Sequence, residues 1–127
     1  MSRIVLVIAT LGSLCTLARA LPAQQPGSDS SVVQAAMATL RSDLRNLVTA
    51  QEAYFADHVT YATSLRQLQS YRASAGVTVV ILTSSDSSHS EIAISEKVPG
   101  LVCAMFVGNA PKPFGVGKEA APACHTP

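Results

Sequence analysis

Residues 50–68 read AQEAYFADHVTYATSLRQL and join the end of one predicted helix to the beginning of another. Tyr54 and Phe55 fall on the last turn of the first helix. The next five residues, DHVTY (57–61), include two β-branched residues that form helix poorly, so we expect the chain to turn there. Tyr61 is then predicted to fold back towards the helix. The aromatic corner of Tyr54, Phe55 and Tyr61 should therefore pin the helix end to the element beneath it.

Upstream of the corner, apolar residues recur at alternating steps of four and three, which is the spacing of one face of an α-helix. The stripe consists of Val33, Met37, Leu40, Leu44, Leu47, Gln51 and Tyr54. A capping-box pattern at Ser31 and Gln34 predicts that the helix begins near Ser31 and ends near Asp57. A sheet could cover this stripe, or part of it could meet another chain. A coiled coil is disfavoured because the stripe spans only about three heptads.

Downstream of the corner, Ser64 and Gln67 repeat the capping-box pattern and predict a short second helix that ends near Tyr71. Three runs with strand composition follow, separated by turn residues: VTVVILT (77–83), EIAIS (91–95) and LVCAMFV (101–107). Turns this short predict an antiparallel meander. The expected fold is α+β, with a long N-terminal amphipathic helix packed on a small three- to four-stranded antiparallel sheet. The middle run alternates polar and apolar residues, whereas the other two are apolar on both faces.

The N-terminal residues have the pattern of a secretory signal peptide. Arg3 precedes an apolar run over residues 4–18, and Ala18 and Ala20 flank Arg19 as a small-x-small cleavage site. The run is shorter than the roughly 20 apolar residues that a spanning helix needs. We therefore predict cleavage after Ala20, and an uncleaved membrane anchor is the alternative.

Cleavage would divide the chain into a signal peptide (1–20), a flexible linker rich in Pro, Gln and Ser (21–30) and one domain (31–127). Removing 20 of 127 residues leaves 107, which is enough for one modest core. Two of the nine basic residues are lost, so seven remain against eight acids, a formal charge of −1. This balance predicts no binding of nucleic acid and no binding of the mature domain to anionic membranes.

Cys103 and Cys124 remain as a pair after cleavage, and cysteine pairs in exported proteins usually form a disulfide. Two buried free thiols are the alternative. The tail from Gly108 to Pro127 is rich in proline and glycine and is predicted to be irregular, so a disulfide would close it as a loop.

No arrangement of residues indicates catalysis or a cofactor. The three histidines, His58, His89 and His125, lack metal-ligand spacing and are predicted to be solvated. A nucleophilic pair of Cys103 with His58 is conceivable, but it competes with the disulfide. The sequence therefore predicts a protein that is not an enzyme and holds no cofactor or metal.

The order of a long amphipathic helix, an antiparallel sheet and a C-terminal cysteine pair resembles the globular part of a bacterial type IV pilin or pseudopilin. The most specific likeness is residues 50–68, which are similar to the family's Q-x-A-Y-F/Y stretch with a later Tyr and Leu. The likeness covers about residues 33–124. It implies a pilin-like headgroup in which Cys103 and Cys124 close the C-terminal loop.

The N-terminal segment departs from the family's pattern. Pilins have a short basic leader and then a retained apolar helix with an early Glu. Residues 4–18 contain no Glu, and the apolar segment is closed by Ala-Arg-Ala at residues 18–20. The expectation is a headgroup without a filament stalk, exported to the periplasm or beyond. A membrane-anchored pilin subunit is the alternative if the segment is retained. A secreted module that binds a small ligand or metal is a further alternative.

A helix of this length should extend beyond a small sheet and leave apolar side chains for a partner. We expect this surface at the first turns of the helix, formed by Val32, Val33, Ala36 and Met37. The expected partner is another envelope or pilin-like protein.

Overall fold

The computed structural model describes residues 28–115 and 117–126. The predicted signal peptide, its cleavage site at Ala18 and Ala20, and most of the linker lie outside the described residues. Helix α1 spans Ser28–His58. Ser31 therefore lies within the helix, and the predicted capping box does not mark its beginning.

Four strands form one antiparallel sheet in the order β1-β2-β3-β4. Their bounds are β1 Val77–Ser84, β2 His89–Ser95, β3 Val102–Val107 and β4 Ala123–His125. Helix α1 packs on β2 and β3. The predicted α+β fold, with a helix on a small antiparallel sheet, is therefore confirmed.

The core lies between α1 and the sheet. Leu40, Leu44 and Leu47 from the predicted stripe are fully buried, together with Leu101 and Met105 from the sheet side. Burying a side chain of this size stabilises the fold by about 1.5–3 kcal/mol. The apolar stripe therefore meets the sheet, as the spacing predicted.

The helix ends in a turn at the place the sequence predicted. Val59 adopts φ = 56°, and its N–H donates to the Phe55 carbonyl at 2.8 Å. This left-handed cap normally carries Gly or Asn, because a β-branched side chain is strained there. The following segment begins with the Ser64 N–H donating to Gln67 Oε1 at 3.0 Å, as a capping box requires. The predicted second helix is shorter than expected, since only Leu65–Gln67 form a single 3-10 turn.

The middle strand, whose sequence alternates polar and apolar residues, is the most buried of the first three along its helix-facing side. Strand β2 lies between β1 and β3, so both of its edges are paired. His89, Glu91 and Ala93 lie on its helix-facing side and are fully buried. The first strand is an edge strand instead, and its Val80 is 40% exposed.

The predicted disulfide between Cys103 and Cys124 is confirmed. The two cysteines lie directly opposite each other on β3 and β4. The tail was predicted to be irregular throughout, but its last residues form β4 because the disulfide holds them beside β3. The loop that connects β3 to β4 also contacts β3 directly, because the Ala120 N–H donates to the Phe106 carbonyl at 2.9 Å.

Candidate functional site

Gln51, the polar member of the apolar stripe, joins the helix to the corner. Its side chain is fully buried. Gln51 Nε2 donates to the Ala62 carbonyl at 3.0 Å, and the Ala62 N–H donates to Gln51 Oε1 at 2.8 Å. The amide thus satisfies both backbone groups of a buried residue, which would otherwise cost free energy. The sequence showed Gln51 within the stripe but gave no sign of its partner.

The structure divides the predicted aromatic corner into two groups. Phe55 and Tyr61 pack together with ring centroids 4.8 Å apart. Tyr54 lies apart from them and stacks on His58, with ring centroids 3.9 Å apart. The Tyr54 hydroxyl also accepts a hydrogen bond of 3.0 Å from Gln67 Nε2. Tyr61 thus returns to Phe55 as predicted, whereas Tyr54 fixes the segment that follows.

A buried polar pair lies beneath the corner. His89 Nδ1 is hydrogen-bonded to Glu91 Oε1, and both side chains are fully buried. The Tyr61 ring packs on the His89 ring at 4.3 Å. The prediction that His89 is solvated is wrong, because the residue opens the central strand β2 instead of lying in the preceding turn. His58 and His125 are exposed, as predicted.

Two tyrosines near this pair have raised pKa values. Burial raises the pKa of Tyr71, and the nearby carboxylates of Asp43 and Glu91 raise it further. Burial also raises the pKa of Tyr61, with the hydrogen bond to Glu52 acting in the same direction. Both phenols are therefore held in their neutral form in the folded protein.

Replacing Tyr71 with phenylalanine is expected to reduce the loss of stability at alkaline pH. The pKa of Tyr71 is higher in the folded state than in the unfolded state. The free energy of unfolding therefore keeps its full value below about pH 10, and it falls at higher pH because the unfolded chain loses the phenol proton first. At pH 7, Tyr71→Phe should leave the free energy of unfolding unchanged or raised, since the buried hydroxyl has no hydrogen-bond partner among the described residues. Urea unfolding between pH 8 and pH 11 measures this. Parallel losses in the variant and the wild type would contradict the assignment.

The predicted contact surface lies at the first turns of α1. Val32 is 52% exposed, whereas Val33, Ala36 and Met37 are half-buried and pack against the core. Ala36 also lines a shallow groove of about 240 Å³, which is completed by Val32, Ala35, Thr39 and Lys97. Of these four residues, Val32 is therefore the one that can be replaced without altering the core.

A more polar groove runs along the other end of the helix, beside the segment after the corner. It measures about 470 Å³, and its lining includes Tyr54, Asp57, His58, Gln67 and Gln69. A second concavity of about 370 Å³ continues it. Both share Ala50 and Ala53, whose small side chains leave the space open.

The described side chains that line these grooves form no metal-ligand cluster. Within residues 28–115 and 117–126, no group of three or more His, Cys, Asp or Glu side chains could hold a metal ion. Cys103, the one candidate nucleophile, is bonded to Cys124. No helix in this part of the chain is both long and apolar enough to cross a membrane.

The chain matches no protein-family model and no curated protein.

Proposed function

We propose that the mature protein is an exported, non-enzymatic, pilin-like domain that acts through protein–protein contacts in the cell envelope, such as a minor pilin-like or secretion-associated component. The exposed Val32 carries this proposal. From residue 30 onward, the first fully buried side chain of α1 is Leu40. The preceding turns therefore carry apolar side chains that the core of the domain covers only in part. Contiguous apolar groups, rather than single exposed residues, mark protein-contact surfaces, and here Val32 adjoins the half-buried Val33, Ala36 and Met37.

Replacing Val32 with aspartate is expected to abolish capture of the partner from envelope extracts. A charge placed within an apolar contact must lose its hydration on binding, and this desolvation costs free energy. Because Val32 is exposed, the variant should keep its far-ultraviolet dichroism and its melting temperature. Affinity capture followed by mass spectrometry identifies the partner.

Val59→Asp is the matched control, because it makes the same chemical change at a valine that is 73% exposed at the other end of α1. The control should capture the partner as the wild type does. Equal capture by Val32→Asp would place the contact surface elsewhere, and unfolding of that variant would assign Val32 to the core.

The polar groove of about 470 Å³ favours a second candidate, a secreted module that binds a small ligand. Ala50 and Ala53 leave space for a small ligand in this groove, and the polar side chains around them could orient it. Native mass spectrometry of the exported protein distinguishes the two functions. A retained small molecule or metal without any protein partner would favour this second candidate.

If the N-terminal segment is retained, the alternative is that the protein is a membrane-anchored pilin subunit. The mass of the exported protein separates the forms, since cleavage after Ala20 leaves 107 of the 127 residues. Recovery of the full-length chain in membranes that resist carbonate extraction would favour the anchored form.

A further inference from the structure

Arg45 and Glu52 lie on the exposed side of α1, away from the sheet. They are seven residues apart, so they occupy the same flank of the helix two turns from each other. Neither forms an ion pair in the part of the chain that the structure describes, where His89 and Glu91 make the one recorded pair. Arg41 lies four residues before Arg45, and like charges at this spacing repel each other. The Arg45 charge thus has no opposite charge paired with it among residues 28–115 and 117–126.

The Glu52 carboxylate is held in place by the corner. The Tyr61 hydroxyl donates to Glu52 Oε1 at 3.0 Å. Tyr61 is itself fixed by its packing on Phe55 and His89. The surface therefore presents a positioned anion without a cation beside it.

The helix surface next to these charges is made of small side chains. Ser42, Thr49 and Ala56 recur every seven residues and are all exposed. Together with Arg45 and Glu52, they form what we call the outer stripe of α1. Small residues at a helix surface allow a second helix to approach closely.

We propose that two copies of this chain associate antiparallel through their outer stripes, with Arg45 of each copy paired with Glu52 of the other. When two identical helices pack antiparallel, the same flank of each helix meets across the interface. A two-fold axis beside Thr49 then forms the Arg45–Glu52 pair twice. A parallel pair instead brings opposite flanks together, so Arg45 of one copy would not face Glu52 of the other. The charges thus select a second copy in the antiparallel orientation.

This association uses a surface different from the one in the proposed function. Val32 and Val33 lie at the first turns of α1, and they are not members of the outer stripe. The two surfaces could therefore be occupied together, and loss of one contact leaves the other unaffected.

Charge reversal tests the pairing in the exported protein with its disulfide intact. Sedimentation equilibrium should show a reversible dimer. Arg45→Glu and Glu52→Arg should each raise the dissociation constant at least about tenfold, because each places like charges together. The variant that carries both changes should return to within about threefold of the wild type, because the pairs are restored with their signs exchanged.

Arg66→Glu is the control, because it changes the net charge equally at an exposed position outside the outer stripe. It should leave the dissociation constant unchanged. A wild-type protein that stays monomeric at all concentrations, or a dimer indifferent to the reversals at Arg45 and Glu52, would overturn the proposal.

Cysteine cross-linking tests the orientation. Thr49→Cys places its thiol beside the two-fold axis, so two copies should form an intermolecular disulfide under mild oxidation. Ala38→Cys lies eleven residues away, which separates the two thiols by about 33 Å in an antiparallel pair, and it should not cross-link. Equal cross-linking of both variants indicates a parallel or random association and contradicts the proposal.

Discussion

Replacing Glu91 with alanine is expected to lower the free energy of unfolding by about 3–5 kcal/mol, because it removes one partner of a buried ionisable pair. Glu91 and His89 are fully buried and hydrogen-bonded to each other beneath Tyr61. The variant would leave His89 Nδ1 buried without its acceptor. His89 Nε2 already has no hydrogen-bond partner among the described residues, so the imidazole would lose its remaining one. Equilibrium unfolding in urea measures the loss.

The paired replacement His89→Leu with Glu91→Leu is the control. It removes both polar groups together and fills the space with apolar side chains. Buried pairs replaced in this way often leave stability unchanged or raise it. The double variant is therefore expected to be more stable than Glu91→Ala. A loss below about 1 kcal/mol for Glu91→Ala would show that water reaches the pair in the folded protein.

Replacing both Cys103 and Cys124 with alanine is expected to lower the free energy of unfolding by about 3 kcal/mol. The disulfide joins residues 21 positions apart and thereby restricts the unfolded chain. It also holds β4 beside β3, so the C-terminal loop should lose its protection from proteolysis when the bond is absent. Urea unfolding and limited proteolysis measure the two effects.

Reduction of the wild-type protein is the matched comparison for the double alanine variant, and the two should unfold alike. Thiol labelling of the denatured, unreduced mature protein, which lacks Cys15 after the predicted cleavage, should find no free cysteine. Stoichiometric labelling of two thiols would contradict the bond and its expected contribution to stability.

The helix and its buried face could be predicted from the sequence, because apolar residues at alternating steps of four and three fit an α-helix and do not fit a strand. Leu40, Leu44 and Leu47 lie at steps that place them on one side, and all three are buried. The turn after His58 was also predictable, since β-branched residues follow the aromatic pair. The cysteine pair was predictable from the two cysteines that lie beyond the predicted cleavage site.

The burial of His89 and Glu91 could not be predicted because the order of strands in a sheet is a tertiary property. The stretch SSDSSHS (84–90) has the composition of a turn, so His89 was assigned to it. Pairing with β1 and β3 on both sides extends the strand back to His89. A signal was present in the alternation of His89, Glu91 and Ala93, which places them on one face of a strand.

The exposure of the four proposed contact residues differs from one to the next. Val32 is exposed, whereas Val33, Ala36 and Met37 also support the core. Helical spacing shows which residues share a face but does not show where the sheet ends beneath them. The C-terminal groove was not predicted, because it arises where the segment after the corner lies beside Ala50 and Ala53.

Photo-crosslinking in the living cell tests the proposed protein contact most directly. A photoreactive amino acid at position 32 should give a covalent adduct with one exported protein, identified by mass spectrometry. The same group at position 59, an exposed valine directly after the end of α1, should give no such adduct. Identical adducts from both positions, or none from position 32, would contradict a contact surface at the first turns of the helix.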